Sequence, residues 1–387
     1  MADLLSRRWW RLLAGSVLLG LALLAVAEGL LRAYPRHLPT DAIRRIALDA
    51  RGEDGPRLLA HDYLGFVGPP HAEYRQEGVD HDFVYTTDEH GFRNASPWPE
   101  QADIVVLGDS QAFGFGVDDD EHWVSLVDDA LPGARLVNLA LLGAAPQQYA
   151  RFHEVFGASL RPKLVIVALF PPNALYAGPL FEEWQAAGKP DGFNMWRAFG
   201  PRTSEAGPLD AIKSVLAQSY AILFLHGWLK NLQDPVRVHH LALAEGRVRV
   251  IPERYADIEL RAQPGHPDFR LVMSALTRLQ EQVLAHGSEM LVLLFPTKEE
   301  VHLPLLGEAA PALLAPFVAE LARRDVPYLD LTLPFRQQAE QGRLLFLEVD
   351  LHPNAEGYRL IAEVLADHLQ RHATDYGLTE IEQARRR

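Results

Sequence analysis

The sequence predicts an α/β chain built on a parallel, doubly wound sheet. Three observations predict it. Short apolar runs at Ile104–Leu107, Leu136–Leu139, Leu164–Phe170 and Met290–Phe295 have the look of strands buried on both faces. Segments with apolar residues at helical spacing stand between and after them, at Trp123–Leu131, 146–156, 268–286 and 309–324. The alternation then closes with a short run, Tyr328–Leu331, and a last helix over 355–372. With 387 residues, 48% of them apolar, the chain can fill a large core.

Ahead of this domain, Arg7, Arg8 and Arg11 flank Trp9 and Trp10, and Leu12–Leu31 follows with a single charge, Glu28. Twenty residues at ~1.5 Å rise match a hydrocarbon core of ~30 Å. The region 1–32 therefore reads as an N-terminal transmembrane anchor. The arginines put its start in the cytoplasm and the body of the chain on the periplasmic or extracytoplasmic side of an inner membrane. A cleaved leader is the alternative, because Ala25-Val26-Ala27 has small-residue spacing, but apolar residues resume at Leu30-Leu31.

Residues 33–102 read as a linker followed by a small β-containing lead-in, with short extended runs such as Phe83–Thr86. The α/β domain covers 103–375. A cap-like insertion at about 176–265 interrupts it. There Ile212–Leu229 is apolar and 18 residues long, which admits a second membrane span, but it carries Lys213, Gln218, Ser219 and His226, which favours a helix packed over the core. Val236–Leu243 and Val248–Ile251 form a hairpin around Glu245-Gly246. The tail 376–387 is charged.

A net charge of −14 argues against a nucleic-acid surface. The absence of cysteine excludes disulfides, zinc–thiolate sites and a cysteine nucleophile. Adjacent His239-His240 would face opposite sides of a strand, and Asp118-Asp119-Asp120-Glu121 reads as a solvated loop capping the helix at Trp123. No metal and no cofactor is implied.

The chemistry lies in Gly108-Asp109-Ser110, directly behind the run Ile104–Leu107. Such a strand delivers a hydroxyl to the carboxyl edge of the sheet, where open α/β sheets place reactive groups. Asp350-Leu351-His352-Pro353-Asn354 supplies a base, His352, and an orienting acid, Asp350, on one turn before a helix. Donors for an oxyanion are the N–H of Ser110, the backbone at Gly143 after the second strand, and the side chain of Asn173 after the third.

Taken together, Gly108-Asp109-Ser110, Gly143, Asn173 and His352-Pro353-Asn354 resemble the four blocks of the SGNH (GDSL-type) hydrolase family. The resemblance covers about 103–175 and 288–372. It implies a three-layer α/β/α fold with a flavodoxin-like parallel sheet, ester chemistry at Ser110, and an oxyanion hole of Ser110, Gly143 and Asn173. Two positions depart from the pattern. Val349 stands where many members keep the acid, which leaves Asp350 two residues before His352 and Glu348 four before it. Ala174 follows Asn173 where Asp is usual. The Asp-X-His spacing and the segment Pro296–Val301, with Lys298 as a candidate substrate contact, are similar to a membrane-anchored branch of alginate O-acetyltransferase-like proteins.

The expectation is a membrane-anchored, extracytoplasmic serine esterase or O-acyltransferase acting on ester-linked acyl, chiefly acetyl, groups through a Ser110–His352–Asp350 triad. Its partners would be an ester or acylated carbohydrate, the inner membrane and polysaccharide-modification machinery. The alternative is a non-enzymatic cell-envelope binding module that keeps the fold.

Overall fold

The structure is a computed structural model that describes residues 2–34, 58–78, 80–190, 192–199, 219–233 and 237–378. Residues 35–57 of the expected linker, the insertion residues 200–218 and the tail residues 379–387 lie outside the described residues. The elements run α1 (Ala2–Ala33), β1 (Leu59–His61), β2 (Gly65–Val67), β3 (Glu73–Glu77), β4 (Asp82–Thr86), β5 (Ile104–Leu107), α2 (Ser110–Phe113), α3 (Trp123–Ala130), β6 (Leu136–Asn138), α4 (Pro146–Phe152), β7 (Leu164–Leu169), α5 (Pro171–Ala186), α6 (Phe193–Phe199) and α7 (Tyr220–Gln233). The hairpin β8 (His239–Leu243) and β9 (Gly246–Val250) follows, then α8 (Ala256–Arg261), α9 (Pro267–Ala285), β10 (Glu289–Leu294), α10 (Lys298–His302), α11 (Ala315–Arg323), β11 (Tyr328–Asp330), α12 (Thr332–Glu340) and α13 (Ala355–Arg371).

These elements fall into two compact units. One holds α1 and α7. In α1, Ala14–Ala33 is long and apolar enough to cross a membrane, and none of it is buried. The expectation for Ile212–Leu229 needs correcting here. Its described part enters α7, and α7 belongs with α1, not with the core of the α/β unit. The span read as one insertion is thus divided, since α5, α6, the hairpin β8–β9 and α8 belong to the other unit.

The second unit is built on a five-stranded sheet in the order β11-β10-β7-β5-β6, every pairing parallel. Counted along the chain within this sheet, the order is 2-1-3-4-5, the flavodoxin-like winding, with its switch point between β5 and β7. β5 and β7 are buried along their whole length because branched aliphatics face both ways. Val105 and Leu107 face a layer that includes α4, α5, α9 and α11, while Ile104 and Val106 face α3, α12 and α13. The lead-in forms two antiparallel hairpins, β1–β2 and β3–β4.

Two helix boundaries differ from the expectation, and one helix was not expected. The helix expected from 309 starts at Ala315, where Pro316 sits in the first turn, a position that needs no amide donor. The helix expected over 146–156 is α-helical only to Phe152, then continues as a π turn at His153–Gly157. Helix α12 had no signal, since it buries only Phe335 and Ala339.

Candidate active site

The site lies at the carboxyl ends of β5, β6 and β7. Gly108 is required by close approach, because a Cβ there would stand 2.7 Å from Ala112 Cβ and 3.0 Å from Ala168 Cβ on β7. Asp109 then caps α2 by accepting from the Gln111 amide at 2.9 Å. This makes Ser110 the first residue of the helix, where a backbone N–H has no intrahelical acceptor. Burial pushes the Asp109 carboxyl up to about 6.

His352 is delivered by the turn before α13. Asn354 caps that helix through Gly357 N at 2.9 Å and donates its side-chain amide to Leu344 O at 2.8 Å. Leu347 N donates to His352 O at 3.0 Å. So held, His352 Nε2 lies 2.7 Å from Ser110 Oγ, and His352 Nδ1 lies 2.5 Å from Asp350 Oδ1. Asp350 Oδ1 also accepts the His352 amide at 3.0 Å. Burial raises the Asp350 carboxyl, but the facing imidazole and these bonds outweigh it and hold the acid well below the usual carboxylate range. The geometry suits a serine O–H donating to Nε2 while Nδ1–H donates to the carboxylate. Phe115 covers the imidazole, with ring centres 4.5 Å apart.

Lys298 is not where the sequence reading put it. It is fully buried. Its Nζ donates to the backbone carbonyls of Asp350 (2.7 Å) and Val349 (2.9 Å), with Glu348 (3.2 Å) and Leu347 (3.4 Å) further out. It therefore grips the turn that carries the acid and is shielded from any substrate. Burial, reinforced by the Arg254 guanidinium, pushes its amine down to about 7.

The lead-in holds the same turn from its other side. Asp80 Oδ2 accepts from the amides of Val349 (2.6 Å) and Asp350 (2.9 Å). Arg93, also from the lead-in, is buried and donates to Gly114 O (2.6 Å), Phe113 O (3.2 Å) and Val117 O (2.8 Å), fixing the loop behind Ser110. Its Nε donates to Asp119 at 2.6 Å. The acidic loop 118–121 thus does not cap the next helix. Asp118 and Asp119 bind the β4 amides of Val84 and Thr86, and the cap position is His122. Neither Asp80 nor Arg93 stood out in the sequence. The available signal was a charged residue set among aromatic runs, His81–Phe83 and Phe92.

Gly143 has a φ of +70°, and a Cβ on it would meet the Arg197 guanidinium at 2.4 Å. Asn173 is not in a loop but in the first turn of α5, behind Pro171 and Pro172. Its Nδ2 donates to Ala144 O at 2.8 Å, and its Oδ1 accepts from Arg197 at 3.0 Å. The structure thus brings Ser110, His352 and Asp350 into one hydrogen-bonded chain. It sets Gly143 and Asn173 against a shared guanidinium, and puts Lys298 behind the acid.

Residues 255–386 match the family model of the SGNH hydrolase-like domain of the acetyltransferase AlgX. Over that segment the chain is similar to an SGNH hydrolase-like domain. That match holds Lys298, Asp350 and His352, whereas Ser110, Gly143 and Asn173 lie before it. The "probable alginate O-acetylase AlgJ" of Pseudomonas putida is 28% identical over 137 residues. The aligned part is 33% of this chain and 35% of that protein, so this chain spans about a third of the relative's length. Among solved structures, the esterase EstA of Pseudoalteromonas sp. is 13% identical over 70% of this chain and 98% of its own, with a TM-score of 0.36. A catalytic mutant of Axe2, an acetylxylan esterase of Geobacillus stearothermophilus, is 11% identical over 73% and 95%, with a TM-score of 0.37.

Proposed function

We propose that this chain is a membrane-anchored O-acyltransferase that moves an acetyl group from an ester donor to a carbohydrate hydroxyl on the extracytoplasmic face. The observation that carries the reading is the unbroken chain from Ser110 Oγ through His352 to Asp350, at 2.7 Å and 2.5 Å, on the sheet edge next to the switch point. The AlgX-type match and the AlgJ likeness support acetyl transfer over a different use of the fold. Helix α1 and the arginines ahead of it support the anchor and its sidedness.

In this reading Ser110 Oγ attacks the acyl carbonyl while its proton passes to His352 Nε2. The carbonyl oxygen becomes an oxyanion, met by the N–H groups of Ser110 and Gly143 and by the Asn173 amide, which Arg197 steadies through its oxygen. The donor's alkoxide leaves with the proton from Nε2, and an acyl-Ser110 ester remains. An acceptor hydroxyl then attacks that ester, gives its proton to Nε2, and Ser110 Oγ leaves and recovers it. Asp350 keeps the imidazole in the useful tautomer and stabilises the imidazolium. Lys298 and Asp80 act on the reaction only through the position of Asp350.

The test is acetate release from a small acetyl ester by the full-length protein in detergent, with and without a panel of oligosaccharides, and with products weighed for acetylated sugar. Acceptor-dependent release with acetylated product is expected. Release unaffected by every acceptor would make the protein an esterase, and no turnover at all would make it a binding module.

A further inference from the structure

Helix α7 presents an apolar face that no described residue covers. Leu225, Trp228, Leu229 and Leu232 are 49%, 48%, 46% and 62% exposed. Their spacing of three, one and three residues puts them on one stripe of the helix. Its first turns behave differently, since Ala221 and Leu223 are buried.

The start of α7 is fastened to α1. Glu28, the only charge inside the apolar run, accepts from Ser219 Oγ at 2.8 Å, Tyr220 N at 3.1 Å and Ala221 N at 2.8 Å. Arg32 donates to the same carboxylate at 2.8 Å and lies over the Tyr220 ring at 4.5 Å. A carboxylate in a membrane-length helix is costly unless its oxygens are satisfied. Here the unpaired amides at the beginning of another helix satisfy it. Glu28 stands five residues before the end of the candidate span Ala14–Ala33, which is roughly 7 Å along a helix axis. Helix α7 therefore begins about one and a half turns inside the far end of the span, beside its outer quarter.

Two magnitudes then decide what α7 can do. Its 14 residues give a length of about 21 Å, too short for a hydrocarbon core of ~30 Å. Its exposed stripe is three leucines and one tryptophan, the composition of a helix lying in a membrane interface.

We propose that α7 is a second membrane-bound element, an interfacial helix tied to the anchor by Glu28, with the Leu225–Leu232 stripe in the lipid. The occupant of the exposed face is thus the bilayer. This rests on the reading of α1 as a membrane anchor, because the level of Glu28 is set by α1.

The absence of cysteine makes the test direct. Single variants Leu225→Cys, Leu229→Cys and Leu232→Cys of the full chain would carry a nitroxide label in vesicles of phosphatidylethanolamine and phosphatidylglycerol. Collision rates with dissolved oxygen and with a water-soluble nickel chelate would be compared with two references, Leu21→Cys in α1 and Arg247→Cys at the exposed position of β9. The expected result is a several-fold higher oxygen-to-nickel ratio at 225, 229 and 232 than at 247, matching the sense of 21. Water-like ratios at 225, 229 and 232 with a lipid-like 21 would overturn the proposal and leave the anchor standing. Water-like ratios at 21 as well would sink the anchor and the proposal together. Shielding from both reagents would mean that protein covers the stripe, and would also overturn it. Glu28→Leu should raise label mobility at 229, and an unchanged spectrum would refute Glu28 as the tie.

Discussion

Replacing Lys298 with methionine separates a residue that positions the acid from one that touches substrate. Methionine keeps most of the length and removes the ammonium, so the carbonyls of Asp350 and Val349 lose donors at 2.7 Å and 2.9 Å. Hydrogen bonds to a charged group contribute about 1.5–3 kcal/mol each. The two longer contacts, at 3.2 Å and 3.4 Å, add little, since an ammonium has three hydrogens to share among four oxygens. The gross loss is then about 3–6 kcal/mol. Against this stands the cost of burying the ammonium, which its lowered amine puts at about 5 kcal/mol. The net change at pH 7 is then small, on the order of 1 kcal/mol against an ordinary stability of about 5–15 kcal/mol, and the variant stays folded. In activity, a shift of the acid turn by ~1 Å should cost about 10²-fold in kcat. KM should hardly move, because Nζ is sealed from the site. The amine is held low, at about 7 against an ordinary 10.5. Between those values the unfolded chain binds the extra proton, so the parent gains stability as pH rises through that window and the variant does not. Denaturant melts at pH 7 and pH 10, with steady-state kinetics on a soluble acetyl ester, would read all three quantities. A raised KM with intact kcat would refute the positioning role, as would parent-like kinetics.

Other outcomes follow from the same geometry. Asp350→Asn should lose several powers of ten in kcat by favouring the wrong imidazole tautomer, whereas Glu348→Gln should stay near the parent; the reverse pattern in paired rate measurements would move the acid to Glu348. Asp80→Ala strips the acceptor from the amides of Val349 and Asp350 and should cost about 2 kcal/mol in denaturant unfolding together with a loss of kcat at constant KM; unchanged kcat would show that Lys298 alone sets the turn. Asp109→Asn keeps a cap oxygen for Gln111 but cannot ionise. Asp109 is raised from 3.8 to about 6, so the folded parent holds a proton that the unfolded chain releases and loses stability as pH rises through that window. The asparagine variant should gain on the parent by up to roughly 3 kcal/mol from pH 4 to pH 6, and a constant difference would show that Asp109 is not so shifted.

The sheet is legible in the sequence because β5, β7 and β10 are buried on both faces, so nearly every residue is aliphatic. Ser110 and His352 are legible for a related reason, since both stand where a regular element meets a turn with its own chemistry, Gly108-Asp109 and Pro353-Asn354. What escaped is long-range. The amides bound by Asp80 belong to residues 269 and 270 positions away, and no local pattern marks such a pairing. Lys298 was visible as a lysine after a strand, but only packing shows that it turns inward toward carbonyls 347–350 and away from the site edge. Helix α7 misled in the opposite way. Its polar interruptions argue for a soluble helix on the core, while Ser219 serves the Glu28 carboxylate.

The central claim is that Ser110 is an activated nucleophile. Intact-mass and peptide analysis of the full-length protein after incubation with a fluorophosphonate tests it most directly. A single adduct is expected on the peptide that carries Ser110, absent in Ser110→Ala and formed far more slowly in His352→Ala. An adduct that persists in Ser110→Ala, or a folded parent that takes up no label, would contradict it.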